Sequence, residues 1–379
     1  MVTDMRSQLG RTASDLVESD PLVAVVLAEI SVDRFAGAMR AAPDRVINVG
    51  IMEQTLVGVG AGFAMEGFHT IVHTMAPFLV ERPFEQVKLD FGYQGLGGTL
   101  ASVGAPYDYG TEGGTHHSPG DVALMLTVPG SEVLVPGCAA ELDTLLRGTY
   151  ANGRLTYLRA SVAQNDEAFD VAPGTAHVIR RGSRATVVAV GPMLTRTIAA
   201  TEGLDVTVLY TASVAPFDAG ALATVAGDDP VVIAVEPFYE GTLAPALTHA
   251  LRHVPSRFAS VGVPRRFITS YGTLADHDAV FQALADPTRR RLLRTLSTSG
   301  PSTLAQLSAG VPMSRQAVSK HLALLQDAGL VVGRGEVRGR RYELSPAPLA
   351  DAMGWIVDVG AGWDDRLARL KRQVESRGD

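Results

Sequence analysis

A chain of 379 residues with 46% hydrophobic and 19% charged residues has the apolar material for two or three globular domains, each with its own core. It contains no run of about 18 uninterrupted apolar residues, and M-V-T-D-M-R-S-Q lacks a basic stretch leading into an apolar one, so a soluble, cytoplasmic protein without a membrane partner is expected. Charge divides along the chain: residues 279–379 carry 15 Lys plus Arg against 10 Asp plus Glu, net +5, and residues 1–278 carry 18 against 30, net −12, so only the C-terminal piece is suited to a polyanion.

In chain order, residues 6–40 read as a helix, the apolar run Leu22 to Ile30, and a second helix around Val32 to Ala41. A short strand, Val46 to Val49, runs into Gly50, and the helical run after it places one acid, Glu53, among Ile51, Met52, Leu56 and Val57. A carboxylate there must be neutralised, paired or used, because burying it charged is costly. In the first turn of a helix the dipole also favours it, and no further role is then needed. Further strands are expected at Thr70 to Thr74, Thr99 to Val103, Glu132 to Pro136 and Thr156 to Arg159, separated by helical stretches. That alternation predicts a mostly parallel sheet covered on both faces.

The stretch N-V-G-I-M-E-Q and the small-residue run to Gly62 resemble the pyrimidine-binding domain of the transketolase family of thiamine-diphosphate enzymes. The resemblance maps the family glutamate onto Glu53. It implies that Glu53 hydrogen-bonds the pyrimidine N1′ and promotes the tautomer that deprotonates the cofactor's C2, and an apolar surround of Ile51, Met52 and Leu56 would favour a protonated Glu53. H-T-M-A-P-F-L-V-E-R-P-F-E-Q, His73 to Gln86, resembles the segment that stacks on the aminopyrimidine: Phe78 takes one stacking position and Met75 stands where many members have phenylalanine. By spacing alone, Phe78 reads as a core residue.

The Gly-rich stretch Gly104 to Asp121 is a loop by composition and holds His116 and His117. Adjacent histidines can ligate a metal, but there is no cysteine nearby and no spaced third ligand, so no metal site is expected. In the resembling family a histidine of this segment faces substrate and cofactor, and His116 takes its position, while Glu112 stands where many members have a sugar-binding aspartate. A local alternative makes Ser118 a helix N-cap with Asp121 three residues on. In Y-L-R-A-S, Arg159 ends a strand, where it could bind a substrate phosphate or carboxylate, or form a structural ion pair. Cys138, the single cysteine, reads as a small buried hydrophobe.

A second α/β unit begins near Gly174, with strands at Ala185 to Val190, Val206 to Tyr210 and Val231 to Val235. With P-F-D at Pro216 to Asp218 and V-E-P at Val235 to Pro237 it resembles the transketolase C-terminal domain. From His277 the pattern changes. Asp286 before Pro287 starts a helix, a short helix runs from Thr303 to Leu307, a longer one starts at Ser314 and stops at Gly329, and two strands flank G-R-G-E-V-R-G-R-R. Helix, turn, helix and ribbon make a winged helix-turn-helix. A-L-A-D-P-T-R-R-R-L-L, S-K-H-L and A-G-L-V resemble the ArsR family of bacterial repressors, without the clustered cysteines of its metal-sensing members.

The fold expected is therefore α/β: two mostly parallel-sheet domains, residues 1–165 and 174–275, followed by a small winged helix-turn-helix domain, residues 277–379; by pattern its amphipathic tail, Leu349 to Val374, packs on a core, and the ArsR resemblance implies that it forms a homodimer interface. Ser314, Arg315, Gln316, Ser319, Lys320 and His321 are the side chains expected on double-stranded DNA, with Arg334, Arg338, Arg340 and Arg341 of the wing. The chain has no G-D-G segment of the kind that holds Mg2+ and the diphosphate in the resembling family. The resemblance thus implies thiamine diphosphate shared with a partner, a diphosphate-binding transketolase-like subunit that holds the Mg2+. Three functions stay open: the C-terminal subunit of a split transketolase with an attached regulator, a repressor with an inactive α/β scaffold, and a fusion of two adjacent genes whose halves act separately.

Overall fold

The computed structural model describes residues 3–265, 267, 280, 283–311, 313–335, 340–346, 348 and 349. They belong to two compact units, one carrying two α/β sheets and the other a C-terminal three-stranded sheet.

The first sheet holds β1 (Val23–Leu27), β2 (Val46–Asn48), β3 (His69–Met75), β4 (Gly98–Val103), β5 (Glu132–Leu134) and β6 (Leu155–Arg159). A second holds β7 (Ala176–Arg180), β8 (Thr186–Val190), β9 (Thr207–Thr211), β11 (Val231–Tyr239) and β12 (Arg257–Val263), and between β9 and β11 the short β10 (Ser213–Ala215) crosses to the first. Strand order in the first sheet is β10-β5-β6-β4-β3-β1-β2, parallel throughout except for β10, which runs antiparallel along β5. The second runs β12-β11-β8-β9-β7, with β7 antiparallel to β9. Every residue of β1, β4 and β6 is buried, the signature of a parallel sheet covered by helices on both faces.

One apolar cluster runs through both sheets: Val25, Leu27 and Leu158 of the first share it with Val187, Val208 and Tyr210 of the second. Glu141 fastens the same junction. Its carboxylate accepts the Tyr210 hydroxyl at 2.5 Å and the backbone N–H groups of Gly137 and Phe169 at 2.7 and 3.0 Å. Cys138 is buried where the helix Ala139–Thr149 begins.

In the C-terminal unit the helix Pro287–Ser299 is capped by Asp286, whose side chain accepts the Arg289 N–H at 3.0 Å. The helix Leu304–Ala309 carries a capping box between Thr303 and Gln306, and Ser314 caps the helix Arg315–Asp327. Leu292, Leu296, Leu307, Val318, Leu322 and Leu325 of the three helices form one core with Leu330 and Tyr342. Three antiparallel strands, β13 (Ser302–Thr303), β14 (Val331–Arg334) and β15 (Arg341–Leu344), order β13-β15-β14, complete a helix-turn-helix with its ribbon. The tail beyond Leu349, with its expected dimer helix, lies outside the described residues, as does Arg338. Among the described residues no helix is long and apolar enough to cross a membrane.

Candidate functional site

In an open parallel sheet, ligands bind beyond the carboxyl ends of the strands where the winding direction reverses. From β1 the chain goes to β2 on one side and then to β3 on the other, so the reversal lies between β1 and β3. After β2, Gly50 adopts a left-handed conformation, φ 75°, which a side chain would disfavour, and Glu53 opens the helix Glu53–Met65. Asn48 holds this turn: its side-chain oxygen accepts the N–H groups of Gly50 and Glu29, both at 3.1 Å, and its amide donates to the Glu29 carboxylate at 3.0 Å.

Glu53 is buried, at 4% exposure, and at a helix start the dipole favours its negative charge. The apolar enclosure expected around it does not form. Ile51 and Met52 are 72% and 55% exposed, because the Gly50 turn throws them outward, and only Leu56 is buried. A cation takes the place of that enclosure: Arg82 donates to Glu53 Oε1 at 2.6 Å.

After β3 the chain winds as a wide π-helical turn, Pro77–Glu81, closed by the Arg82 N–H to the Pro77 carbonyl at 3.0 Å, an irregularity common at functional sites. It brings Arg82 over Phe78, with the guanidinium carbon 4.2 Å from the ring centroid. The His116 ring also meets Phe78, with centroids 5.1 Å apart and planes 71° from parallel. Glu53, Arg82, Phe78 and His116 thus form one chain of contacts. Met75 is buried at the end of β3, its terminal methyl beside Gly104, and it is not in that chain.

The two histidines diverge. His116 Nδ1 meets the Thr115 hydroxyl at 2.9 Å, whereas His117 packs edge-on against Tyr107, ring centroids 4.7 Å apart. Burial, and then the neighbouring His116, lowers the His117 pKa. The cap expected at Ser118 is not made: Ser118 donates instead to Glu81 at 2.9 Å, and the helix starts at Asp121.

Arg159, placed by sequence at a substrate anion or in an ion pair, is wholly buried in the ion pair. Its Nε reaches Asp121 Oδ2 at 2.6 Å, the same oxygen accepts the Tyr157 hydroxyl at 2.6 Å, and neither partner's side chain is exposed. No solvent-facing surface of Arg159 is left for a ligand. Among the described residues no group of three or more His, Cys, Asp or Glu side chains is placed to hold a metal ion.

On the helix Arg315–Asp327, Arg315, Gln316, Ser319 and Lys320 are exposed. Ser314 is also exposed, but its hydroxyl serves as the cap, accepting the Ala317 N–H at 3.2 Å. His321 departs from its expected place on the polar face: it is half-buried, with Nδ1 3.9 Å from Asp286. In the ribbon Arg340 and Arg341 are exposed, and Arg334 pairs with Glu343 across the strands at 3.3 Å.

Residues 2–164 match the family model for the transketolase pyrimidine binding domain, residues 174–283 that for the transketolase C-terminal domain, and residues 284–334 a helix-turn-helix domain. An apulose-4-phosphate transketolase subunit of Actinobacillus succinogenes is 31% identical over 57% of this chain and 72% of that one. The chain belongs to the transketolase family.

Within that family it is similar to proteins described as separate subunits, a likeness that the apulose-4-phosphate transketolase subunit of Phocaeicola vulgatus repeats at 28% identity over 86% of its length. A 33.6 kDa uncharacterized protein of the fasciation locus of Rhodococcoides fascians is 44% identical over 73% of this chain and 90% of the relative. Among solved structures, a split-gene transketolase described as an inactive β4 tetramer is 27% identical with a TM-score of 0.62, covering 70% of this chain and 91% of that one. The transketolase of Campylobacter jejuni shares the fold at 15% identity and a TM-score of 0.56, and this chain matches 43% of it. In this transketolase family member, sequence reasoning missed Arg82 and the supporting role of Asn48. Arg82 follows Phe78 by four residues, the spacing that puts two side chains on one helix face, and that signal could have found it.

Proposed function

We propose that this chain is the pyrimidine-side subunit of a split, thiamine-diphosphate-dependent transketolase-type enzyme acting on ketoses or 2-oxo acids, joined to an ArsR-type DNA-binding regulator. The observation that carries the enzyme reading is the contact chain Glu53, Arg82, Phe78 and His116 beyond the reversal of a parallel sheet. The residues fit the pyrimidine half of the cofactor. A flat, N–H-bearing group, the Arg82 guanidinium, already donates to a buried carboxylate while its central carbon lies over an aromatic ring. Bound there, thiamine diphosphate would supply the carbon–carbon bond chemistry.

Glu53 would hold a proton against the pyrimidine N1′, Phe78 and Met75 would cover the ring, and His116 would orient substrate at the cofactor's edge. Arg159 would support the site from behind, fixing β6 to the Asp121 turn. The relatives described as separate subunits support a partner that provides the diphosphate and Mg2+ sites. With such a partner present, Glu53→Gln is expected to lower kcat by about 10²-fold or more. Full turnover in Glu53→Gln would contradict the assignment.

For the regulator, Arg315, Gln316, Ser319 and Lys320 would enter a major groove, with Arg340 and Arg341 on phosphates, in a cytoplasmic homodimer. Arg315→Ala with Lys320→Ala should weaken binding to the protein's own promoter and reduce the slope of log affinity against log salt by about 0.9 for each phosphate no longer neutralised. Anisotropy titrations over a salt series measure both, and unchanged affinity and slope would count against DNA binding through this helix.

A further inference from the structure

The pyrimidine-side reading gives Glu53 and Phe78 to an aromatic ring, yet in this chain both are engaged by one side chain. Arg82 donates to Glu53 at 2.6 Å while its guanidinium carbon lies 4.2 Å from the Phe78 centroid. A guanidinium is planar, offers N–H groups along its edge and stacks on aromatic faces. It therefore satisfies the same two surfaces as an aminopyrimidine, and the two cannot sit there together.

We propose that Arg82 is a built-in occupant of the pyrimidine half-site, which keeps Glu53 paired and Phe78 covered in the isolated chain and swings out when a pyrimidine ring enters. The inference rests on the functional reading above and adds to it a reason why the chain on its own would bind cofactor weakly.

Two features fit a displaceable occupant rather than a fixed structural pair. The exposure is lopsided: the Arg82 side chain is 45% exposed and that of Glu53 only 6%, so the arginine has solvent to move into while the acid stays. Arg82 is also lightly held, since among the described residues its guanidinium donates to Glu53 alone. By contrast the buried pair of Arg159 and Asp121 has no exposed side-chain surface on either partner and a third polar group, Tyr157, on the same oxygen. A part-exposed pair contributes little net stability, so a ring that keeps Glu53 hydrogen-bonded can replace it. Until then the competent fraction of the site is reduced, and apparent affinity falls by that fraction.

The test is binding of thiamine and of thiamine diphosphate with Mg2+ to the full chain without a partner, by ligand-observed NMR and calorimetry. Wild type, Arg82→Ala, Arg82→Gln, Glu53→Gln and the double variant Glu53→Gln with Arg82→Ala are compared. Arg82→Ala is expected to bind about tenfold tighter than wild type, about 1.4 kcal/mol, with Arg82→Gln between them and no gain in the double variant. Arg82→Gln keeps a neutral partner on Glu53, so it carries the comparison if the alanine variant fails to fold. Thiamine should also raise the melting temperature of the Arg82 variants more than that of wild type. If wild type binds as tightly as both Arg82 variants, or more tightly, Arg82 is no occupant and the pyrimidine site itself stands. If neither ligand binds any of the five proteins, removing Arg82 opens no site and the occupant fails, whereas the pyrimidine-side reading falls only if binding is also missing with a diphosphate-domain subunit present.

Discussion

A carboxylate with 4% of its surface exposed cannot stay charged in a fold without a counter-charge or a helix end, and Glu53 has both. The same accounting separates Arg159 from a ligand-binding arginine. Its pair with Asp121 is fully desolvated, and removing one member leaves the other buried and uncompensated. Arg159→Ala should therefore cost about 3–5 kcal/mol of stability, read by chemical denaturation, where a part-exposed pair is worth at most about 1 kcal/mol. A variant as stable as wild type but with a raised KM would restore the substrate-contact role.

His73, buried in β3, donates from Nδ1 to the Ala101 carbonyl at 2.7 Å and accepts at Nε2 from the Ser31 hydroxyl at 2.9 Å. Burial lowers its pKa to about 4. Because the folded value lies below the ordinary one, the neutral ring's contribution is present above about pH 6.5 and is lost as the pH falls toward 4, to the extent of about 3 kcal/mol. Stability measured from pH 7 to 4 should fall more steeply in wild type than in His73→Gln; parallel curves would contradict this. At this scale motif spacing marked Glu53, Phe78 and His116 as candidates, and the fold links them in one chain of contacts. The pairing of Arg82 with Glu53 and the burial of Arg159 were not legible, since both depend on which partner a side chain meets across the fold.

Among the elements, strands and helices were readable because apolar periodicity dictates them. Fully apolar runs such as V-A-V-V-L became sheet covered on both faces, and Asp286-Pro287 and Ser314 mark two helix starts as their cap chemistry requires. Sequence pattern failed where a turn re-aims the chain. The left-handed Gly50 turns Ile51 and Met52 to solvent, and the Ser118 hydroxyl finds Glu81 instead of its own helix. Caps also give a quantitative expectation. Asp286→Ala removes the bond to the Arg289 N–H and the charge beside His321, and should destabilise the C-terminal unit by about 1 kcal/mol in denaturant titrations. An unchanged midpoint would show that the cap carries no stability there.

For the whole molecule, charge separates an acidic transketolase-type body, net −12, from a basic helix-turn-helix piece, net +5. The body matches the transketolase pyrimidine binding and C-terminal domains, and in the function proposed for it another polypeptide completes the active site. Calorimetric titration of thiamine diphosphate and Mg2+ into this chain, with and without a diphosphate-domain subunit, tests that claim most directly. Tight binding is expected only in the mixture and should be weakened by Glu53→Gln. No binding in any combination, or binding indifferent to Glu53→Gln, would contradict it.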